Sequence, residues 1–255
     1  MSSFESITNI ASIGLIFLSS ALFLLLSMRP LKSFDETFRS ILPLQNLRNA
    51  IYSSIETGSR LHISLGKASI INSNAASALV GLKVLSGLVK ITSFCDRPPV
   101  ATGGDSTLAI LSRDTLRSAY RSINLMDTFD PSRGRLAGLT PLSYTTGLLP
   151  VIYDERVSTH VLTGNFGAEI SLALEMIHEE NAFVLAATDS LPAQAVMYAS
   201  SQNTLIGEEL FALPAFLQPD RFQVSSLMTQ DTLRWLMIVF LILGSVLKFI
   251  GVDVL

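Results

Sequence analysis

Thr159-His160-Val161-Leu162-Thr163-Gly164-Asn165-Phe166-Gly167-Ala168-Glu169 is the stretch that decides the fold. A short run suited to extended backbone ends in a turn bounded by two glycines, and helical spacing follows from Ala168 to about Glu180. The same order recurs twice. Pro99-Val100-Ala101-Thr102 leads into Gly103-Gly104-Asp105-Ser106 and a helical pattern to about Arg121. Phe183-Val184-Leu185-Ala186-Ala187-Thr188 leads into Asp189-Ser190 and a helix through Pro192 to Ser200. Strand, tight small-residue turn and helix in repeated alternation specify a parallel sheet with helices on its faces. The strands are near-continuous apolar runs, as strands buried on both faces are. The expected fold class is therefore α/β, a Rossmann-like three-layer domain with a mostly parallel sheet over residues 59–219, flanked by N- and C-terminal transmembrane helices.

Working outward, Leu61-His62-Ile63-Ser64-Leu65-Gly66 reads as a further strand and turn. Ser69 to Cys95 is rich in Ala, Ser, Gly, Leu and Val, with only Lys83 and Lys90 charged. A helix apolar on all sides is buried. Small residues also suit helix contacts in lipid, but Asn72, Asn74 and the two lysines favour burial in the domain or between subunits. Asp127 to Gly138 reads as a polar surface loop, Leu139 to Ile152 as an apolar helix with a turn at Asp154-Glu155, and Asn203 to Leu213 as another strand bending at Gly207.

Residues 6–28 carry no charge and are long enough to cross a bilayer. A signal peptide would open with basic residues; Met1 to Glu5 has none, so an uncleaved anchor is expected. Residues 233–252 form the second span; its apolar run from Trp235 to Val252 is interrupted only by Lys248, whose ammonium can snorkel to the headgroups. Arg29, Lys32, Arg39 and Arg48 follow the first span, and Arg221 and Arg234 precede the second. The positive-inside rule then puts the domain in the cytoplasm and both termini outside. Between them, residues 33–58 read as a juxtamembrane amphipathic helix. It opens with the capping box Ser33-Phe34-Asp35-Glu36, places Leu44, Leu47, Ile51 and Ile55 on one face, kinks at Pro43 and ends near Gly58.

Net charge is −3 and no basic stripe is present, which excludes nucleic acid as a partner. Cys95 is the only cysteine, too few for an internal disulfide or a thiolate metal site. His62, His160 and His178 show no ligand spacing.

In open α/β sheets, ligands bind at the carboxyl ends of the strands. The candidate ligand-binding residues are therefore Gly103, Gly104, Asp105, Ser106, Gly164, Asn165, Asp189 and Ser190, whose turns could offer backbone N–H groups to a nucleotide or small anion. Asp105, Glu169 and Asp189 could instead surround a divalent cation. Asp, Ser and Asn are also the preferred helix caps, and capping is the default for these positions. The chain has no G-x-G-x-x-G, no Walker A lysine and no G-x-S-x-G, so no catalytic set and no cofactor are expected.

Glu56-Thr57-Gly58, Leu61-His62-Ile63-Ser64, Thr102-Gly103-Gly104-Asp105-Ser106-Thr107, Gly164-Asn165-Phe166-Gly167-Ala168-Glu169 and Asp189-Ser190-Leu191-Pro192-Ala193-Gln194-Ala195 form a set of blocks. Over about residues 50 to 215 the chain resembles an uncharacterised bacterial membrane-anchored domain family, common in Chloroflexota, that shares them. The resemblance implies a bacterial inner-membrane setting and brings no catalytic residues. The function expected is a non-catalytic scaffold whose partners are the lipid bilayer and further copies of itself, a homo-oligomer assembled through the cytoplasmic domain. The alternative is a membrane-tethered nucleotide or small-anion binding or sensor domain that uses the strand-end turns. Neither span carries an ionisable residue at mid-depth, which disfavours a channel.

Overall fold

The computed structural model describes residues 2–28, 39–71, 74–92 and 95–249, with side chains described from residue 12 onward. It divides into two units, Arg39–Gln218 and the two terminal segments Met1–Phe38 and Pro219–Leu255.

The first unit is built on six strands: β1 (Arg60–Gly66), β2 (Val100–Gly103), β3 (Gly134–Leu136), β4 (Val157–Asn165), β5 (Phe183–Thr188) and β6 (Thr204–Ile206). Every neighbouring pair is parallel, in the order β3-β2-β1-β4-β5-β6. The chain starts in the middle, steps to one edge, then returns across β1 and steps to the other. The direction reverses between β1 and β4, and in open sheets ligand crevices form at such a reversal.

The unit's helices are α2 (Leu42–Glu56), α3 (Ala75–Thr92), α4 (Ser106–Ser122), α5 (Pro141–Tyr153), α6 (Ile170–Glu179), α7 (Leu191–Ser200) and the short α8 (Leu213–Leu217). Tyr144 and Leu148 of α5, Ile170 and Leu174 of α6 and Met197 of α7 close over Leu162 and Ala186 on one face. Helices α2, α3, α4 and α8 cover the other. The central strands are sealed on both sides: Ile63, Leu65, Val161, Leu162 and Leu185 have no exposed surface. Burying one such side chain contributes about 1.5–3 kcal/mol.

The small residues of α3 now have a reason. A Cβ at Gly81 would lie 3.2 Å from Leu65 Cδ2 and 3.3 Å from the Thr163 carbonyl oxygen, so glycine lets the helix settle close on the sheet. Ala78, Val84, Leu85, Leu88 and Val89 are buried there as well. The helix passes a length-and-composition test for crossing a membrane, yet half of it is buried in the α/β unit.

Two expectations are corrected. Asp127–Gly138 is not all loop: Gly134–Leu136 forms the edge strand β3, paired with Ala101, Thr102 and Gly103 of β2. Three residues with an arginine in the middle carry no period, so only pairing reveals the strand. Nor does Pro43 kink a long helix. Arg39 to Ile41 are not helical, α2 starts at Leu42, and Pro43 sits in its first turn, where its missing N–H leaves nothing unsatisfied. Leu44, Leu47 and Ile51 of α2 are buried against the sheet unit. The capping box at Ser33–Glu36 lies outside the described residues.

The second unit holds α1 (Ser2–Ser27) and α9 (Arg221–Phe249), which pack side by side. The rings of Phe23 and Phe222 stack at 6.4 Å. The hydroxyls of Ser19, Ser225, Thr229 and Thr232 donate to carbonyls of their own helix, so these polar groups need no water. Phe17, Leu24, Leu25, Trp235, Phe240 and Leu241 are all more than half exposed. Among the described residues, α9 and α3 are the helices long and apolar enough to cross a membrane, and Ser12–Ser27 of α1 is a shorter apolar stretch.

Candidate functional site

At the reversal point the two central strands are tied to their very ends. The Lys67 N–H donates to the Asn165 carbonyl at 2.8 Å, and Gly66 pairs with Asn165. A Cβ at Gly164, where φ is +137°, would meet the Leu65 carbonyl oxygen at 2.2 Å; one at Gly66, where φ is +69°, would meet the Asn165 oxygen at 2.3 Å. At these glycines the two backbones lie in contact, with no room for a side chain.

Gly103 ends β2, and the next residue, Gly104, donates its N–H to the Gly66 carbonyl at 2.8 Å. A Cβ on Gly104 would lie 2.4 Å from Lys67 Cγ and 2.9 Å from Tyr144 Cδ2. The space beside Gly104 is thus taken by the stem of Lys67 and the ring of Tyr144. Tyr144 is buried, its hydroxyl accepts from the Gly66 N–H at 3.2 Å, and it shares a second hydrogen bond with Ser64. Burial pushes the phenol up, more than its hydrogen bonds pull it down, so it stays protonated at neutral pH.

The charged groups of this edge are engaged with one another. Lys67 pairs with Glu169, with 21% and 15% of the two side chains exposed. Burial alone would push Glu169 up, but the Lys67 hydrogen bond and backbone N–H groups outweigh it and hold the carboxyl below its ordinary value. Asn165 Nδ2 donates to Asp189 Oδ1 at 2.9 Å. Asp105 caps α4, accepting from the Leu108 N–H at 3.1 Å. Ser106 is the first, exposed residue of α4, and Ser190 donates its N–H to Thr188 Oγ1 at 3.2 Å.

The structure therefore gathers the sequence-derived residues on one edge and gives most of them a partner within the protein. Asp105 is the helix cap anticipated by default. Asp105, Glu169 and Asp189 do not group: among the described residues no three His, Cys, Asp or Glu side chains converge as a metal ion requires.

A second polar cluster escaped the sequence reading. His62 and His160 face each other across β1 and β4 with Nδ1 atoms 3.0 Å apart, and His62 Nε2 lies 2.8 Å from Thr102 Oγ1. Both rings are fully buried. One Nδ1–H fills the space between them, so the two rings cannot both be protonated. Burial, then the nearby Arg135 guanidinium, pushes His62 down to about 3. Burial, then His62, lowers His160 well below the ordinary histidine value. His160 Nε2 is buried with no hydrogen-bond partner among the described residues. Sealed from solvent, the pair is part of the core rather than an acid/base catalyst.

At the amino ends of the strands, Glu155 bridges Arg60 and Arg135. A broad concavity of about 1140 Å³ also lies at this end, lined by His178, Asn181, Phe183, Tyr198 and Asn203. It is thus on the opposite edge from the candidate residues. Burial and then Asp96 push the Cys95 thiol up, which disfavours the reactive thiolate.

The model of a family described as a domain of unknown function, DUF6754, matches residues 2–255. No curated protein and no solved structure matches the chain.

Proposed function

We propose that this chain, which belongs to the DUF6754 family, is a non-catalytic membrane scaffold that self-assembles into a homo-oligomer through a Rossmann-like α/β domain. The observation that carries this reading is how the strand ends are filled. Gly66, Gly104 and Gly164 bring backbones into contact, Tyr144 and Lys67 fill the space beside Gly104, and Lys67 pairs with Glu169 and Asn165 with Asp189. The strand order is that of doubly wound sheets, whose crevice lies at the reversal. Here backbone contacts and side-chain pairs within the protein occupy the reversal, which supports a structural use of the fold.

The membrane part of the reading is supported by α1 and α9. Their large apolar side chains face outward, and such a surface is stable in hydrocarbon and costly in water. The basic residues flanking the two helices favour a cytoplasmic domain, with both termini outside the inner membrane of a bacterium.

The test is co-purification. Two differently tagged copies of the full chain, co-expressed and extracted in mild detergent, should be recovered together on either tag. Recovery of each tag alone would defeat the reading.

A further inference from the structure

Charge is divided unevenly along the α/β unit. Residues 157–219 hold seven Asp and Glu side chains and no Lys or Arg. They supply β4, β5 and β6 with α6 and α7. Helix α4, earlier in the chain, carries Arg113, Arg117 and Arg121 against one acid, Asp114. In the sheet order β3-β2-β1-β4-β5-β6 these groups lie at opposite ends, because α4 packs on β2 and β3 whereas α7 packs on β5 and β6.

The three arginines stand four residues apart and are exposed, so they form one ridge along α4. Like charges at that spacing weaken a helix. Arg121 is in the last turn, where a cation suits the helix dipole. Arg113 donates from Nε to the Gly134 carbonyl at 2.7 Å, which sets the ridge beside the edge strand β3. Arg117 has neither reason. Among the described residues Arg117 and Arg121 make no ion pair, not even with Asp114.

At the other end, α6, α7 and the start of β5 border the groove of about 1140 Å³. Its lining is rich in acceptors and contains no Lys or Arg. Glu175 lines it and makes no ion pair among the described residues. So do Tyr198, Ala199 and Ser200, which end α7. The last four carbonyls of a helix have no partner within it. In α7 that of Met197 accepts from the Ser201 N–H at 2.8 Å, and the other three accept no hydrogen bond among the described residues. The last four carbonyls of α6, by contrast, are all taken. Phe183 and the 70% exposed Tyr198 add aromatic rings. The complement of such a groove is a guanidinium, which offers five N–H donors, accepts nothing and stacks on rings. The same chain displays three of them in a row at the other end of its sheet.

We propose that copies of this chain join head to tail, the arginine ridge of α4 in one copy seated in the α6–α7 groove of the next. This rests on the scaffold reading and deepens it by naming the contact. The two patches are unlike and lie at opposite ends of one sheet, so the contact is not two-fold. Repeated, it closes a ring or runs on as a filament.

The test is charge exchange in the full chain, read as native mass in mild detergent. The ridge variant Arg117→Glu, Arg121→Glu and the groove variant Glu175→Arg change exposed side chains and should melt like the parent. Each should fall to the mass of a single chain. All three substitutions on one chain should restore the parent's mass, because every contact again pairs arginine with glutamate. A second measurement leaves the charges alone. In a Cys95→Ser background, copies carrying Ser118→Cys and copies carrying Ser200→Cys should be joined to each other by a short bis-maleimide, and neither to its own kind. A folded ridge or groove variant that keeps the parent's mass, or a loss that the combined chain does not recover, overturns the proposal and leaves self-association standing. An assembled parent whose unlike copies are not joined, or whose like copies alone are joined, overturns it too, even if a charge variant fails to fold. A monomeric parent would defeat the scaffold reading and this contact with it.

Discussion

Gly164 lies in β4 with its φ at +137° and the Leu65 carbonyl in the place a Cβ would take. Substitution there faces both backbone strain and a backbone clash, and neither can move aside cheaply. Gly164→Ala should destabilise the α/β unit by more than about 2 kcal/mol, seen as a lowered melting temperature in detergent. An unchanged melting temperature would mean the two strands are not tied as described. Asp105 is a plainer case: losing its cap on Leu108 should cost about 1 kcal/mol in Asp105→Ala, with no change in oligomer mass.

The histidine pair makes a pH prediction. His62 titrates near 6.5 when unfolded and near 3 when folded. Between those values the unfolded chain binds a proton that the folded chain excludes, so stability falls as pH falls. The loss is about 1.4 kcal/mol per pH unit for His62 over that window, and His160 adds in the same direction. Equilibrium unfolding should show full stability above about pH 7 and a steady decline below it, and the decline from this pair should vanish in a His62→Phe, His160→Phe variant that still folds. None of this was legible in the sequence. His62 and His160 are 98 positions apart, and only the parallel register of β1 on β4 sets them opposite each other.

At the scale of elements, what could be read is what local chemistry decides. The strands ending at Gly103, Asn165 and Thr188 were visible because each apolar run meets a turn of small residues and then helical spacing. The edge strand β3 was not, because three residues containing Arg135 gain their extended form from pairing with β2. The start of α2 was misplaced because an apolar period continues through the residues before Pro43, and period alone does not locate a first turn. Helix α9 was legible from length and hydropathy. A lysine at Leu241, which is exposed near the middle of its apolar stretch, should cost about 3 kcal/mol of insertion. Leu241→Lys should therefore release protein from carbonate-washed membranes, whereas Leu142→Lys should not. Equal retention of both variants would contradict a lipid-facing α9.

At the scale of the whole molecule, the position of the candidate site was legible and its occupancy was not. Fold-level reasoning put the polar groups at the carboxyl ends, and the structure gathers Asn165, Lys67, Glu169 and Asp189 there. That these residues satisfy one another, and that Tyr144 reaches in from α5, depends on packing between segments some 80 residues apart. The most direct measurement is the native mass of the full chain in nanodiscs, taken together with analysis of any small molecule released on denaturation. The account predicts one closed homo-oligomeric mass and no stoichiometric nucleotide or anion. A monomer that releases a nucleotide in equal amount, lost in Asp189→Ala, would contradict it.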